Sequence, residues 1–403
     1  MTGGADRFFT ELNRLMLGKG ERVITFTYRP QSGSPVVSTH PDFVHYFIDK
    51  EIYPQGLRGK IAGCIGVFYE PRILNDLEKI IQKEKPVIAH IHNIYHRIPY
   101  GIIDVLNKHG IKVVWWLHDY KWICPNHQLY TRGSLCKRCI RKNYLNAIKY
   151  RCQINSFLKS TIVCCFTYFV SLNKYCNRID RFIAPSQSVY SLFKEFDFPI
   201  SKVKVLPHFN YGKGALTADV AVTKEPEKPY ALYVGRIEEN KGVSHLVRAF
   251  GESGYPLKIV GTGNYERTLK KYCGDKKFNY IEFVGYVPPK NLPDYYRDSL
   301  FVVVPSVWYE VFGLAIVESF NYGKPVVASA IGAIPEIVEN GKTGMLYQTG
   351  DAEDLCKKVT WMFDNPESAR QMGLNAQTFA VHWYSSEKYW GELQTLHREL
   401  SQK

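Results

Sequence analysis

YALYVG (residues 230–235), LKIVG (257–261), IEFVG (281–285) and LFVVVP (300–305) are the runs that decide how the second half of this chain folds. Each is short, continuously apolar and closed by glycine or proline, the pattern of a strand buried on both faces of a parallel sheet. PVVAS (325–329) and GMLY (344–347) extend the series. Between the first two, Val243, Leu246, Val247 and Phe250 recur at i, i+3, i+4 and i+7, one apolar face of a helix. Strands alternating with helices predict a doubly wound α/β domain.

Working outward, the first half repeats the theme less regularly, with strands expected at 23–28, 87–91, 112–117, 181–184 and 203–207. A chain of 403 residues suits two domains. The polar stretch GKGALTADVAVTKEPEKP marks a linker over 212–229, between an N-terminal domain (1–211) and a C-terminal one (230–380). A final aromatic-rich helix (381–403) is expected at the domain junction. A content of 45% hydrophobic and 22% charged residues, without repeats, excludes a disordered or solenoid protein.

The net charge of +14 is uneven: residues 1–210 hold 30 Lys and Arg against 15 Asp and Glu, and the remainder is nearly neutral. That asymmetry suits one domain facing an anionic surface. No recognition-helix, zinc-finger or RNA-binding signature accompanies it, so nucleic acid is not the expected partner. The start of the chain does not read as a signal peptide, and the longest apolar run, 161–170, is too short to span a bilayer. The expected location is cytoplasmic, with any membrane contact peripheral and the ten cysteines free or metal-bound.

The chemistry concentrates in VWYEVFGLAIVESFNYGKPVVAS (307–329). Glu310 precedes a helix opened by Gly313, and Glu318 lies two turns along it. A helix N-terminus suits a diphosphate; carboxylates there suit the hydroxyls of a ribose and a sugar ring. Arg236 and Lys241 follow the first strand of the second domain, where side chains reach a crevice ligand. Gly261 and Gly263 let backbone approach a nucleotide closely.

This segment resembles the retaining family 4 glycosyltransferases of the GT-B fold, whose Glu, seven residues, Glu motif stands here as Glu310 and Glu318. GGADRF at Gly3, HIHN at His90, WLHDY at Trp116, APS at Ala184, GRIEENKG at Gly235, GTGNYE at Gly261 and IGAIPEIVENGKTGML at Ile331 carry the likeness along the chain. The resemblance implies two Rossmann-like domains facing a cleft. It also implies transfer of a sugar, with retention, from a nucleotide-sugar donor to a lipid-linked or polysaccharide acceptor of cell-surface glycan synthesis. By the same resemblance Glu310 contacts the donor sugar and Glu318 the ribose. Gly4, Arg236, Lys241, Gly261, Gly313 and Leu314 complete the donor site, and His118 sits beside the sugar. Gly3 and His92 are acceptor-side candidates. No Asp-x-Asp occurs, so no metal is expected in catalysis, Arg236, Lys241 and the helix end supplying the positive charge. The family has a strand before its glycine loop and this chain opens on the loop; the expectation is a natural start some 10 to 20 residues upstream, about one strand's length.

The stretch 120–178 reads as an insertion. Cys124, Cys136, Cys139 and Cys152 within it suit a structural zinc, with reduced, unligated thiols as the alternative. Residues 137–181 carry ten Lys and Arg against one acid, around the apolar TIVCCFTYFV. That pattern suits an element in a headgroup layer, or equally a buried helix. Two other functions fit the sequence less well. An NAD-dependent dehydrogenase needs a third glycine that GTGNYE lacks. A basic nucleic-acid-binding protein leaves Glu310, Glu318, Arg236 and Lys241 unexplained.

Overall fold

A computed structural model describes residues 3–28, 43–48, 70–95, 98–210 and 229–402. The linker expected at 212–229 lies outside them, Pro229 excepted.

The first half opens with α1 (Gly4–Gly18), β1 (Val23–Tyr28), β2 (Phe43–Ile48), α2 (Pro71–Glu84), β3 (Ile88–Ile91), α3 (Ile102–Lys108) and β4 (Lys112–Trp116). The insertion follows: a minimal hairpin of β5 (Tyr130–Thr131) and β6 (Ser134–Leu135), then α4 (Asn146–Lys149) and α5 (Phe157–Leu172). The domain resumes with β7 (Arg181–Ala184), α6 (Gln187–Glu195) and β8 (Val203–Val205). Strands pair in parallel in the order β3-β4-β7-β8, and β1 pairs in parallel with β2 alone.

Every strand expected here appears, within two residues. The strand over Phe43–Ile48 was not expected: a histidine interrupts its apolar run, and His45 finds its partner in Thr25 Oγ1 at 2.6 Å on the neighbouring strand. APS is also explained: Ser186 caps α6, its Oγ accepting from Val189 N–H.

The second half runs β9 (Tyr230–Val234), α7 (Val243–Ser253), β10 (Leu257–Val260), α8 (Glu266–Lys276), β11 (Ile281–Gly285), α9 (Leu292–Arg297) and β12 (Ser299–Val304). It continues with α10 (Leu314–Asn321), β13 (Val326–Ser329), α11 (Ile334–Ile337), β14 (Gly344–Tyr347), α12 (Ala352–Asp364), α13 (Pro366–Trp383) and α14 (Ser386–Ser401). The six strands are parallel in the order β11-β10-β9-β12-β13-β14. In sequence terms that is 3-2-1-4-5-6, so the topological switch point lies between β9 and β12, where open α/β sheets hold ligands. One face packs under α7, α8 and α12, with Val243, Leu246, Val247 and Phe250 fully buried. The other packs under α9, α10 and α13.

The chain ends by crossing back. Tyr389, Trp390, Leu393, Leu396 and Leu400 of α14 pack with Phe8 and Leu12 of α1 against Val114, Trp116 and Ile183 of the first sheet. Ser385 Oγ, accepting from Lys388 N–H, separates α13 from α14. The helix expected at the junction thus covers one face of the first sheet.

Candidate active site

The loop leaving β9 rests directly on the end of β12. Gly242 has φ of +70°, and a Cβ there would stand 1.8 Å from the Pro305 carbonyl oxygen, so only glycine permits the approach. The approach carries Lys241 over the switch point. Its Nζ lies 2.7 Å from Glu310 Oε1 and 4.9 Å above the Trp308 ring. Glu310 is buried and also accepts from Ser306 Oγ at 2.5 Å. Gly332, φ +59°, lets the IGAIPE loop lie against the Glu310 backbone, where Ala333 N–H donates to Glu310 O at 2.9 Å. Burial works to raise the Glu310 pKa. The Lys241 ammonium and the hydrogen bonds from Lys241 and Ser306 outweigh it and hold the carboxyl below its ordinary value.

Gly313, φ +99°, turns the chain into α10. Glu318 lies in the second turn of that helix, accepting from Tyr296 OH at 3.0 Å. From the other domain, Arg7 Nη1 reaches its Oε1 at 2.5 Å. Gly4 meets Leu314 so closely that an added Cβ would stand 3.1 Å from Leu314 Cδ1. The first turns of α1 and α10 therefore face each other across the cleft. Gly3 caps α1, its N–H donating to Asp6 Oδ2 at 3.2 Å.

On the first domain, His118 follows β4 and is buried. A hydrogen bond of 2.8 Å joins its Nε2 to His92 Nδ1. His90, two residues back on β3, takes the Trp116 indole N–H on Nδ1 at 3.0 Å and meets His397 of α14 at 3.0 Å. His208 stacks on Phe8 with ring centroids 3.8 Å apart and stands 5.6 Å from the His118 ring. Burial drives His118 and His90 down to about 3 and takes His92 and His208 well below the usual imidazole value. All four are neutral at pH 7. An uncharged imidazole in the cleft exchanges hydrogen bonds with a hydroxyl and brings no proton to donate as an acid.

The structure therefore gathers Glu310, Lys241, Gly313, Leu314, Glu318 and Gly4 about the switch point. His118 and His92 stand on the facing domain, linked across by His208, whose ring centroid is 5.0 Å from that of Phe312. Tyr120 OH donates to Tyr309 O at 3.0 Å on the same seam. Arg236 is different: its exposed guanidinium pairs with Glu238 at 2.8 Å. Gly261, φ +139°, and Gly263, whose Cβ would stand 2.1 Å from Ile237 O, shape the neighbouring β10 loop. Cys124, Cys136, Cys139 and Cys152 lie apart, around one small cavity of the insertion.

Sequence reasoning missed Arg7, Ser306, Tyr296, His208 and His397. Ser306 stands four residues before Glu310 and Arg7 three after Gly4, spacings that signalled proximity without signalling partners.

The glycosyl transferases group 1 family matches residues 217–379. D-rhamnosyltransferase WbpZ of Pseudomonas aeruginosa is 26% identical over 213 residues, 51% of this chain and 56% of that protein. The chain spans about half the length of the curated relatives it matches. Among solved structures, sucrose-phosphate synthase of Thermosynechococcus elongatus superposes with a TM-score of 0.74 at 19% identity, covering 99% of this chain and 94% of that one. HepE of Anabaena in complex with UDP-glucose gives 0.71 at 17%, covering 100% and 97%. Two layered sheets flank a cleft with the motif region forming one wall, so the chain has the GT-B fold, and its stretch 217–379 matches the glycosyl transferases group 1 family.

Proposed function

We propose that this chain transfers a sugar from a nucleotide-sugar donor, with retention at the anomeric carbon, to a lipid-linked or polysaccharide acceptor of cell-surface glycan synthesis. The observation that carries the reading is the buried Lys241–Glu310 pair beside the α10 N-terminus at the switch point, with Glu318 one helical stretch away. Lys241 and the helix end neutralise the donor diphosphate as it departs, Arg236 swinging in from Glu238 to assist. Glu318 accepts from the ribose hydroxyls once Arg7 yields, and Glu310 accepts from a hydroxyl of the donor sugar. His118, held by His92, meets the sugar from the facing domain. The carbon–phosphate oxygen bond breaks and the bond to the acceptor oxygen forms on the same face, the acceptor's proton passing to the leaving phosphate. The cations present, and the lack of Asp-x-Asp, fit a reaction that needs no divalent metal.

The P. aeruginosa relative is by name a rhamnosyltransferase, and HepE was captured with UDP-glucose; both favour a hexosyl donor. Nucleoside diphosphates at a hundredfold their dissociation constant stabilise a binding protein by about 2.7 kcal/mol. A thermal-shift panel across uridine, guanosine, thymidine and adenosine diphosphates should single out one base, and Glu318→Ala should cut that shift by about half or more. A panel in which no nucleotide moves the melt counts against the reading.

We infer that the acceptor lies at an anionic membrane, on its cytoplasmic face. In the insertion, Leu145, Ile154, Phe157, Leu158 and Leu172 are each at least 60% exposed. They are interleaved with Lys149, Arg151, Lys159 and Lys174. The opposite side of α5 buries Cys164, Phe166 and Val170 in the first domain's core. No helix among the described residues is long and apolar enough to cross a membrane. Co-sedimentation with liposomes should require anionic lipid and decline with salt; equal recovery on neutral vesicles removes the membrane from the proposal.

A further inference from the structure

We propose that Cys124, Cys136, Cys139 and Cys152 bind one zinc ion that fixes the fold of the insertion. The four residues come from three separate turns of chain and line a single small cavity. The hairpin of β5 and β6 carries the chain from Cys124 round to Cys136, whose N–H donates to Leu129 O at 2.8 Å. A tight turn separates Cys136 from Cys139, and α4 returns the backbone so that Cys152 N–H donates to Ala147 O at 3.0 Å.

Two further observations bear on a cation. The surroundings are positive: Arg138 Nη1 lies 3.5 Å from Cys136 Sγ, Arg132 and Arg138 both act on Cys152, and no acidic residue occurs between Asp119 and Asp180. A zinc ion with four thiolates carries two net negative charges, which these guanidinium groups offset. The backbone is also strained. Of the thirteen non-glycine residues with positive φ among those described, eight fall between His127 and Asn155. Such conformations persist where the surroundings over-determine them. Two two-residue strands and one four-residue helix supply little of that restraint; a metal centre tying three turns together supplies it.

The thiols line the cavity without converging. Among the described residues no group of three or more His, Cys, Asp or Glu side chains is already set to hold a metal ion. As thiols they turn to protein oxygens instead, Cys124 Sγ donating to Asn126 Oδ1 at 2.9 Å and Cys152 Sγ lying 4.0 Å from Asn146 O. Zinc reverses this. Its bonds to sulfur, about 2.3 Å long, draw four ligands round one point in a tetrahedron. Four S–H bonds break, four Zn–S bonds form and four protons pass to solvent, with no change of oxidation state. Cys164 donates instead to Tyr144 O at 3.2 Å and does not line the cavity.

The test is the metal content of the full chain, purified without chelator from cells supplied with zinc and measured by plasma mass spectrometry. About one zinc per chain is expected. Cys136→Ser and Cys139→Ser should lower it at least fivefold, while Cys356→Ser on the second domain should leave it unchanged. Should the serine variants fail to fold, thiol counting on the wild-type protein decides. Four cysteines should resist a thiol reagent until zinc is stripped, and cobalt exchanged into the protein should show the visible absorption of a tetrathiolate site. Zinc below a tenth of an equivalent overturns the proposal, as does iron in its place or four cysteines that react as fast as the exposed Cys165.

Discussion

Lowering the pH from 7.5 to 5.5 should strip this protein of a large part of its stability. His90, His92, His118 and His208 are buried with folded-state pKa values at or below about 3 or well under the ordinary 6.5. The sign follows from linkage: below 6.5 the unfolded chain takes up protons that the folded chain refuses. Stability is therefore complete above pH 6.5 and drains away as pH falls toward the folded values. One unit below the unfolded pKa, each histidine costs about 1.4 kcal/mol, or about 6 kcal/mol for the four. Asp119 works in the opposite direction. Its carboxyl is raised by burial to about 6, so the folded state gains its proton first and recovers about 1 kcal/mol at pH 5.5. The net loss of about 5 kcal/mol compares with a total of about 5 to 15 kcal/mol for an ordinary domain. Urea titrations followed by tryptophan fluorescence should show the midpoint falling steeply between pH 6.5 and 5.5 at constant m. His208→Phe, which keeps the stack on Phe8, should flatten the dependence by about a quarter. A midpoint that is the same at pH 7.5 and 5.5 would refute the reasoning.

Lys241→Ala leaves the Glu310 carboxylate buried and unpaired, and should destabilise the second domain by about 3 to 5 kcal/mol as read by chemical denaturation. Lys241→Ala should also remove nucleotide binding. Glu318→Ala should weaken nucleoside diphosphate binding by about tenfold to a hundredfold in calorimetry, the loss of charged hydrogen bonds to a ribose. Arg7→Ala should tighten it, by less than about fivefold because the pair is part-exposed; weaker binding would show that Arg7 contacts the donor itself. Gly242→Ala forces a Cβ onto Pro305 O at positive φ and should cost on the order of 3 kcal/mol or more in unfolding experiments.

The second sheet was legible because its strands are buried on both faces, and burial on both faces writes a continuous apolar run into the sequence; all six appear where those runs stand. β2 was not legible because a strand with His45 at its centre breaks the run, its compensation lying on another strand. The Glu310–Glu318 spacing located the site, yet the spacing carries no information about partners. That Glu318 meets Arg7, 311 positions away, depends on how the domains face each other. The histidine cluster illustrates the same limit. His90 and His92 are visible as one face of a strand, whereas His208 and His397 join them only through a loop and the last helix. The resemblance grouped Arg236 with Lys241, but it carried no sign that Glu238, two residues on, is the arginine's partner here.

The central claim is most directly tested by incubating the protein with a panel of nucleotide sugars, with lipid-linked and polysaccharide acceptors, and measuring release of nucleoside diphosphate. One donor should dominate, its turnover surviving EDTA and falling at least a hundredfold, about 2.7 kcal/mol, in Glu310→Gln. The product's anomeric centre, read by NMR, should match that of the donor. Release of no nucleoside diphosphate from any donor, or an inverted product, would contradict the account.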